Sequence, residues 1–278
     1  MTTIQIPDAD ASRENRLPAE SSLRGWATQS SALARRQLTV LFRDRATVLQ
    51  ILFIPALTMV MFKVVLGDAV GSATGQNSAY GTVPLVILVS AMFGSLASGV
   101  RLNQERGTGL LARLYVLPIN RAADLTSRLL CEVVRILVTT TLLLIAGLFI
   151  GFRFTQGPFA VLGIFAVSLM FGVAYSMFVL AIAVNTRPSA ALVPMLSLFS
   201  SLLMFFNSGF SPVEAYPTWL QPIVEYQPLT PAIDSMRAMA SGGPIAADLI
   251  AVVIWTIVIL GACTWPALRG YRRAATSR

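Results

Sequence analysis

Asp124, Arg128, Glu132 and Arg135 follow one another at separations of four, four and three residues, the spacing that stacks side chains along one face of a helix. Side chains of these types at that spacing can pair their charges. The pairing reaches into apolar sequence, because Arg135 stands about 10 Å above Arg128 at about 1.5 Å per residue. A carboxylate at that depth is costly unless partnered. Glu132 therefore has two readings, a polar contact or gate for a passing molecule, or half of a structural pair with Arg128 and Arg135 that closes one end of a helix bundle. Arg135, three residues on, favours the structural pair.

A second set of charges lies in Arg101 to Arg121, RLNQERGTGLLARLYVLPINR, an arginine-rich island between two long apolar segments. Its charges cannot lie in hydrocarbon, so the island projects into water. Leu110, Leu111, Leu114 and Leu117 fall at helical spacing and give it an apolar stripe, which predicts a short amphipathic helix rather than a plain connector.

Other chemistries are excluded by what the chain lacks. With no histidine, neither an H-E-x-x-H zinc site nor a Ser-His-Asp triad can form. Lys63 is the only lysine and follows Phe62, so no G-K-[ST] phosphate loop exists. A membrane enzyme would need a nucleophile, an acid-base pair or a metal cluster that this composition does not supply.

These residues must be positioned by membrane helices. Over half the chain is hydrophobic and 12% is charged, against about 25% in soluble proteins. Apolar runs cover Thr47 to Leu66, Gly81 to Val100, Leu129 to Phe152, Pro158 to Val184, Ala190 to Phe206 and Ile245 to Leu268. Each can cross about 30 Å of hydrocarbon as a helix, and the alternation of a β-barrel is absent. The expectation is an all-α integral membrane protein with six spans.

The net charge of +8 is explained by topology rather than by nucleic acid. With six spans and both termini inside, seventeen arginines fall on the cytoplasmic side, and Arg153 and Arg237 fall outside. That asymmetry fixes the orientation. Cys131 and Cys263 lie in spans near the reducing side, where a disulfide is not expected.

Residues 1–22 are polar and carry no apolar core of a signal peptide, so a disordered cytoplasmic tail is expected. From Leu23 the pattern changes. Leu23, Trp26, Ala27, Ala34, Leu38 and Leu41 share one helical face and Arg24, Arg35, Arg36 and Arg43 the other, which predicts a helix lying along the inner membrane surface against anionic lipid. Pro55 should kink the first span. Lys63, near its outer end, should snorkel to water, and residues 67–80 should form a flexible loop.

The fourth and fifth spans are joined by a short turn with Pro188 and should pack as an antiparallel hairpin. Met92 and Phe93 of the second span and Phe199 and Phe206 of the fifth could line an adaptable pathway or serve as bundle packing. Residues 207–243 are too polar and proline-rich to span. Trp219, Leu220, Ile223, Tyr226 and Met236 suit short helices dipping into the outer leaflet.

Glu105-Arg106, Gly109, Arg113-Leu114 and Pro118 reproduce an E-R-x-x-G-x-x-x-R-L-x-x-x-P loop. In this the chain resembles the type 2 permeases of ATP-binding-cassette exporters. Through Gly109-Leu110-Leu111-Ala112-Arg113-Leu114 and Leu117-Pro118 it resembles their daunorubicin-resistance branch, which includes actinobacterial drug and lipid exporters. Many members of that family carry an acidic residue where this chain has Ala112. A second likeness lies in Gly209, Pro212, Pro217, Trp219-Leu220-Gln221, Pro228, Pro231 and Arg237, which follow the family's re-entrant extracellular helices before the last span.

The resemblance implies that Glu105, Arg106, Gly109, Leu110, Arg113, Leu114 and Pro118 belong to a coupling helix seated on a separate ATPase subunit. It implies two ATPase copies, a second permease as homodimer or heterodimer, and ATP and magnesium held by the ATPase rather than by this chain. The substrate class implied is a hydrophobic drug or antibiotic, or a complex lipid, moved outward across the plasma membrane of a bacterium. The rival reading is an ion-gradient-driven secondary transporter, which usually shows internal repeats and midplane carboxylates; no clear repeat is present, and Glu132 already has arginines nearby.

Overall fold

The structure, a computed structural model, describes residues 23–43, 45–74, 77–108, 123–186 and 192–276. The expectation for residues 1–22 lies outside them, as does the turn at Pro188. Helix α1 is Leu23–Arg43, α2 Arg45–Thr74, α3 Ala79–Gly107, α4 Ala123–Phe149, α5 Pro158–Asn185 and α6 Leu192–Phe205. After a 3-10 turn at Val213–Ala215 come α7 Gln221–Tyr226, α8 Leu229–Ser241 and α9 Ala246–Thr276. The described residues contain no strand. α3, α4, α5 and α9 are long and apolar enough to cross a membrane, while Phe53–Val65 within α2 and Leu192–Phe205 are shorter apolar helices. The architecture is all-α, with the expected six apolar helices in order.

α5 is the hub. It packs on α3, α4, α8 and α9, and 72% of its apolar stretch is buried against 6% for α9. Small residues allow this. A side chain at Gly99 would strike Val179, and one at Gly172 would strike Ile136 of α4.

Several expectations change. Residues 67–74 continue α2 as helix instead of forming a loop, so the connection to α3 is short. Lys63 does not simply reach water, since its ammonium donates to Asn77 Oδ1 at 2.8 Å and Ser78 Oγ at 3.0 Å, fastening that connection. α6 packs its backbone on α3 rather than pairing closely with α5. Bulky side chains hold α5 and α6 apart: Phe178 and Phe199 meet at 5.5 Å between ring centroids, and Tyr175 and Ser200 share a 2.6 Å hydrogen bond.

α1 packs one face on α4. The buried residues of that face are small, Ser30 and Ala34, which lets Cys131 Sγ approach the Ala34 carbonyl to 3.4 Å. Ala27, assigned to the apolar face, is exposed. In the segment 207–243 Trp219, Ile223 and Tyr226 are exposed, but Leu220 and Met236 are buried in protein, not at its edge. Arg237 ties this segment together through Asp234 at 3.1 Å and the Ser208 carbonyl at 2.6 Å. Both cysteines are free.

Candidate functional site, a charged seam beside an amphipathic cavity

The helix of the second span does not stop where its apolar run stops. No proline interrupts residues 101–107, so α3 carries Arg101, Asn103, Glu105 and Arg106 on as helix beyond Val100. The first part of the arginine-rich island is thus a continuation of α3. Gly109, Leu110, Arg113, Leu114 and Pro118 lie outside the described residues.

An α-helix leaves its last carbonyls without partners of its own. At the end of α5 they are taken by α3: Arg106 Nη1 donates to the carbonyls of Val184 at 2.8 Å and Thr186 at 2.7 Å. Asn103 Nδ2 donates to Ala183 at 3.0 Å and Thr186 at 3.1 Å. Asn185 in turn donates to the Pro266 carbonyl of α9 at 2.9 Å. Glu105 points the other way and pairs with Arg128 of α4, whose Nε also meets Asp124 at 2.9 Å. Ser127 beside it accepts from Gln37 at 3.1 Å, which adds α1.

Deeper in the bundle, Glu132 and Arg135 form a buried pair, with Arg135 Nε 2.9 Å from Glu132 Oε2 and Nη2 on the same oxygen. Ser98 donates to the other carboxylate oxygen. Arg135 also donates to the carbonyls of Ser90 at 3.3 Å and Ala91 at 3.1 Å. It can do so because α3 has Gly94 where any side chain would collide with the guanidinium. The run of four charges therefore divides into two units. Arg128 does not pair with Glu132; it turns toward Glu105 and Asp124, which both reach it, while Glu132 is engaged by Arg135.

Beside this seam lies a cavity of about 520 Å³ between α1, α2, α3 and α4. Each helix lends a stripe at helical spacing: Ser90, Phe93, Ala97 and Arg101 from α3, Arg128, Glu132 and Arg135 from α4, Pro55, Thr58 and Phe62 from α2. Of the pathway residues read from the sequence, Phe93 lines this cavity. Met92 is fully buried in the core, Phe199 meets Phe178 with the rings tilted, and Phe206 meets Tyr216. Among the described residues no cluster of metal-ligating side chains is present.

Residues 28–240 match the family model described as ABC-2 type transporter. The chain belongs to that family. Over 262 residues it is 38% identical to the probable doxorubicin resistance ABC transporter permease protein DrrC of Mycobacterium tuberculosis, covering 94% of this chain and 95% of the relative. It is 26% identical to the daunorubicin resistance ABC transporter permease protein DrrB1 of Streptomyces coeruleorubidus over 70% of this chain and 68% of that one. The same identity links it to the putative transport permease ycf38 of Cyanophora paradoxa, over 57% and 54%. As an ABC-2 permease it is the membrane-spanning subunit of an ABC exporter and works with an ATPase subunit.

Sequence reading of this permease overlooked Gly94, Ser98 and Asn103. Ser98 and Glu105 do sit seven residues apart on the face that meets Glu132 and Arg128, a pattern recoverable once α3 is known to continue. The resemblance places Arg106 in the helix seated on the ATPase, and its described partners are carbonyls of this same chain.

Proposed function

We propose that this permease moves a hydrophobic drug or antibiotic, or a complex lipid, from the inner leaflet to the outer face, driven through residues 109–122 by ATPase subunits on the cytoplasmic side. One observation carries this reading. Immediately before that segment, α3 is fastened to α5 by Arg106 and to α4 by Glu105. A push delivered there is shared among three helices instead of bending one, which is what conversion of an ATPase closure into a tilt of spans requires.

In this reading Leu110 and Leu114 fill a groove on the ATPase, Arg113 contacts it, Gly109 permits close approach and Pro118 ends the helix. Two permeases bind two ATPases, which hold the ATP and magnesium. The second permease is another copy or a sister chain; relatives of this chain in Mycobacterium tuberculosis carry two distinct names, DrrC and DrrB. Both termini and the Arg101 to Arg121 stretch are cytoplasmic, supported by the arginine asymmetry, and the host membrane is the plasma membrane of a bacterium. The pairing of Glu132 with Arg135 argues against an ion-coupled carrier that would use Glu132, because this buried carboxylate is already engaged.

The test is copurification with the ATPase, and drug-stimulated ATP hydrolysis, for Leu110→Ala, Arg113→Ala and Leu114→Ala. An interface anchor typically costs about 1 to 2 kcal/mol or more when truncated, so each variant should weaken association while the permease still inserts. Wild-type association and hydrolysis in all three would remove the coupling role.

A further inference from the structure

The cavity beside the charged seam has unequal ends. Along α3, Val89 and Phe93 give way to Ala97 and then Arg101, a distance of about 18 Å from Val89 to Arg101 at about 1.5 Å per residue. Near Val89 the lining includes Phe62 and Leu85, and the guanidinium of Arg135 that reaches Ser90 and Ala91 there is neutralised by Glu132; the Arg101 end carries an unmatched charge. Its volume of about 520 Å³ lies within the roughly 300–1,000 Å³ of small-molecule sites.

The charges decide what can enter. Arg128 is matched by Glu105 and Asp124, and Arg135 by Glu132. Glu132, the cavity's acidic residue, has its oxygens taken by Arg135 and Ser98. Arg101 is exposed, lines the cavity and has no hydrogen-bonding or ion-pair partner among the described residues. Among the described residues lining the cavity, one positive charge is thus left open and no carboxylate is free for a cation.

We propose that this cavity holds an amphiphile with an anionic head, its head at Arg101 and its apolar body along Phe93, Val89 and Phe62. This rests on the permease reading and names the class of molecule that the inner half of this chain receives. Phosphate-bearing lipid supplies that chemistry, and free phosphate shares only the head.

The test uses the full-length permease in neutral detergent and native mass spectrometry, with phosphatidylglycerol, phosphatidylcholine and inorganic phosphate as probes. One phosphatidylglycerol should be retained in preference to phosphatidylcholine, and inorganic phosphate should not displace it. Arg101→Gln should weaken retention about tenfold, the size of one charge-assisted hydrogen bond, with Arg101→Lys recovering part of it. Ala97→Phe and Thr58→Phe, which fill the cavity from opposite walls, should abolish it, while Arg36→Gln on the exposed face of α1 should not. Equal retention of both lipids, displacement by phosphate, or indifference of correctly folded Ala97→Phe and Thr58→Phe proteins would overturn the proposal. The readout needs no ATPase, so loss of drug export with lipid retention intact would count against the export reading alone.

Discussion

The guanidinium of Arg135 lies across α3 at Gly94, where even a methyl group would collide with it. Gly94→Ala should push Arg135 away from Glu132 and from the carbonyls of Ser90 and Ala91. Breaking a buried ion pair costs about 3 to 5 kcal/mol because one charge is left uncompensated. Arg135→Met alone should therefore lower the unfolding temperature of the purified permease sharply, and Glu132→Gln with Arg135→Met should recover most of the loss. Equal unfolding temperatures for wild type and Gly94→Ala would show that Arg135 does not depend on the gap.

Arg106 and Asn103 share the Thr186 carbonyl as an acceptor. Removing either donor should cost about 1 to 3 kcal/mol if an end carbonyl of α5 is left unsatisfied. Because they share an acceptor, Asn103→Ala with Arg106→Ala should cost other than the sum of the single changes. Thermal unfolding of the three variants measures the coupling; strict additivity would mean that the two side chains act independently.

Met92 and Phe93 are neighbours with different surroundings, one fully buried and the other 41% exposed at the cavity. Met92→Ala should reduce stability by about 2 to 5 kcal/mol, as core truncations do, and should reduce protein abundance. Phe93→Ala should leave abundance unchanged and alter which compounds are exported. Export profiles normalised to permease abundance separate the two, and identical behaviour would place both residues in packing.

Orientation is open to direct chemistry. In a background without Cys131 and Cys263, single cysteines at Ser72 and Ser241 should react with an impermeant maleimide applied to intact cells, while one at Ser189 should react only after permeabilisation. Reaction of Ser189 from outside would reverse or renumber the spans.

The six apolar helices were legible because run length and composition report membrane crossings directly. Hydropathy marks where a helix is greasy, not where it ends, so the continuation of α3 to Gly107 and of α2 to Thr74 was hidden. Charge spacing brought out Asp124, Arg128, Glu132 and Arg135, yet the pairing of Arg128 with Glu105 depends on two helices meeting. Nothing local to either residue signals it. Arg106 was harder still, since its acceptors are backbone carbonyls and a sequence does not display which carbonyls lack partners. On α1 the apolar periodicity included Ala34, which is buried, but not Ser30, whose small polar side chain is buried with it where the helix lies close to α4.

The clasp between α3 and α5 has donors from side chains and acceptors from main chain. Its two sides should consequently drift at different rates as lineages separate. On the α5 side almost any amino acid presents the same carbonyl oxygen, so the hydrogen bonds place no demand on the side chain of Thr186, while Ala183 and Val184 are held by their burial in the core. On the α3 side only a long forked cation and a short amide fit, which should hold Arg106 and Asn103 nearly fixed. Among homologues aligned through this region, position 186 should vary more than Arg106 and Asn103.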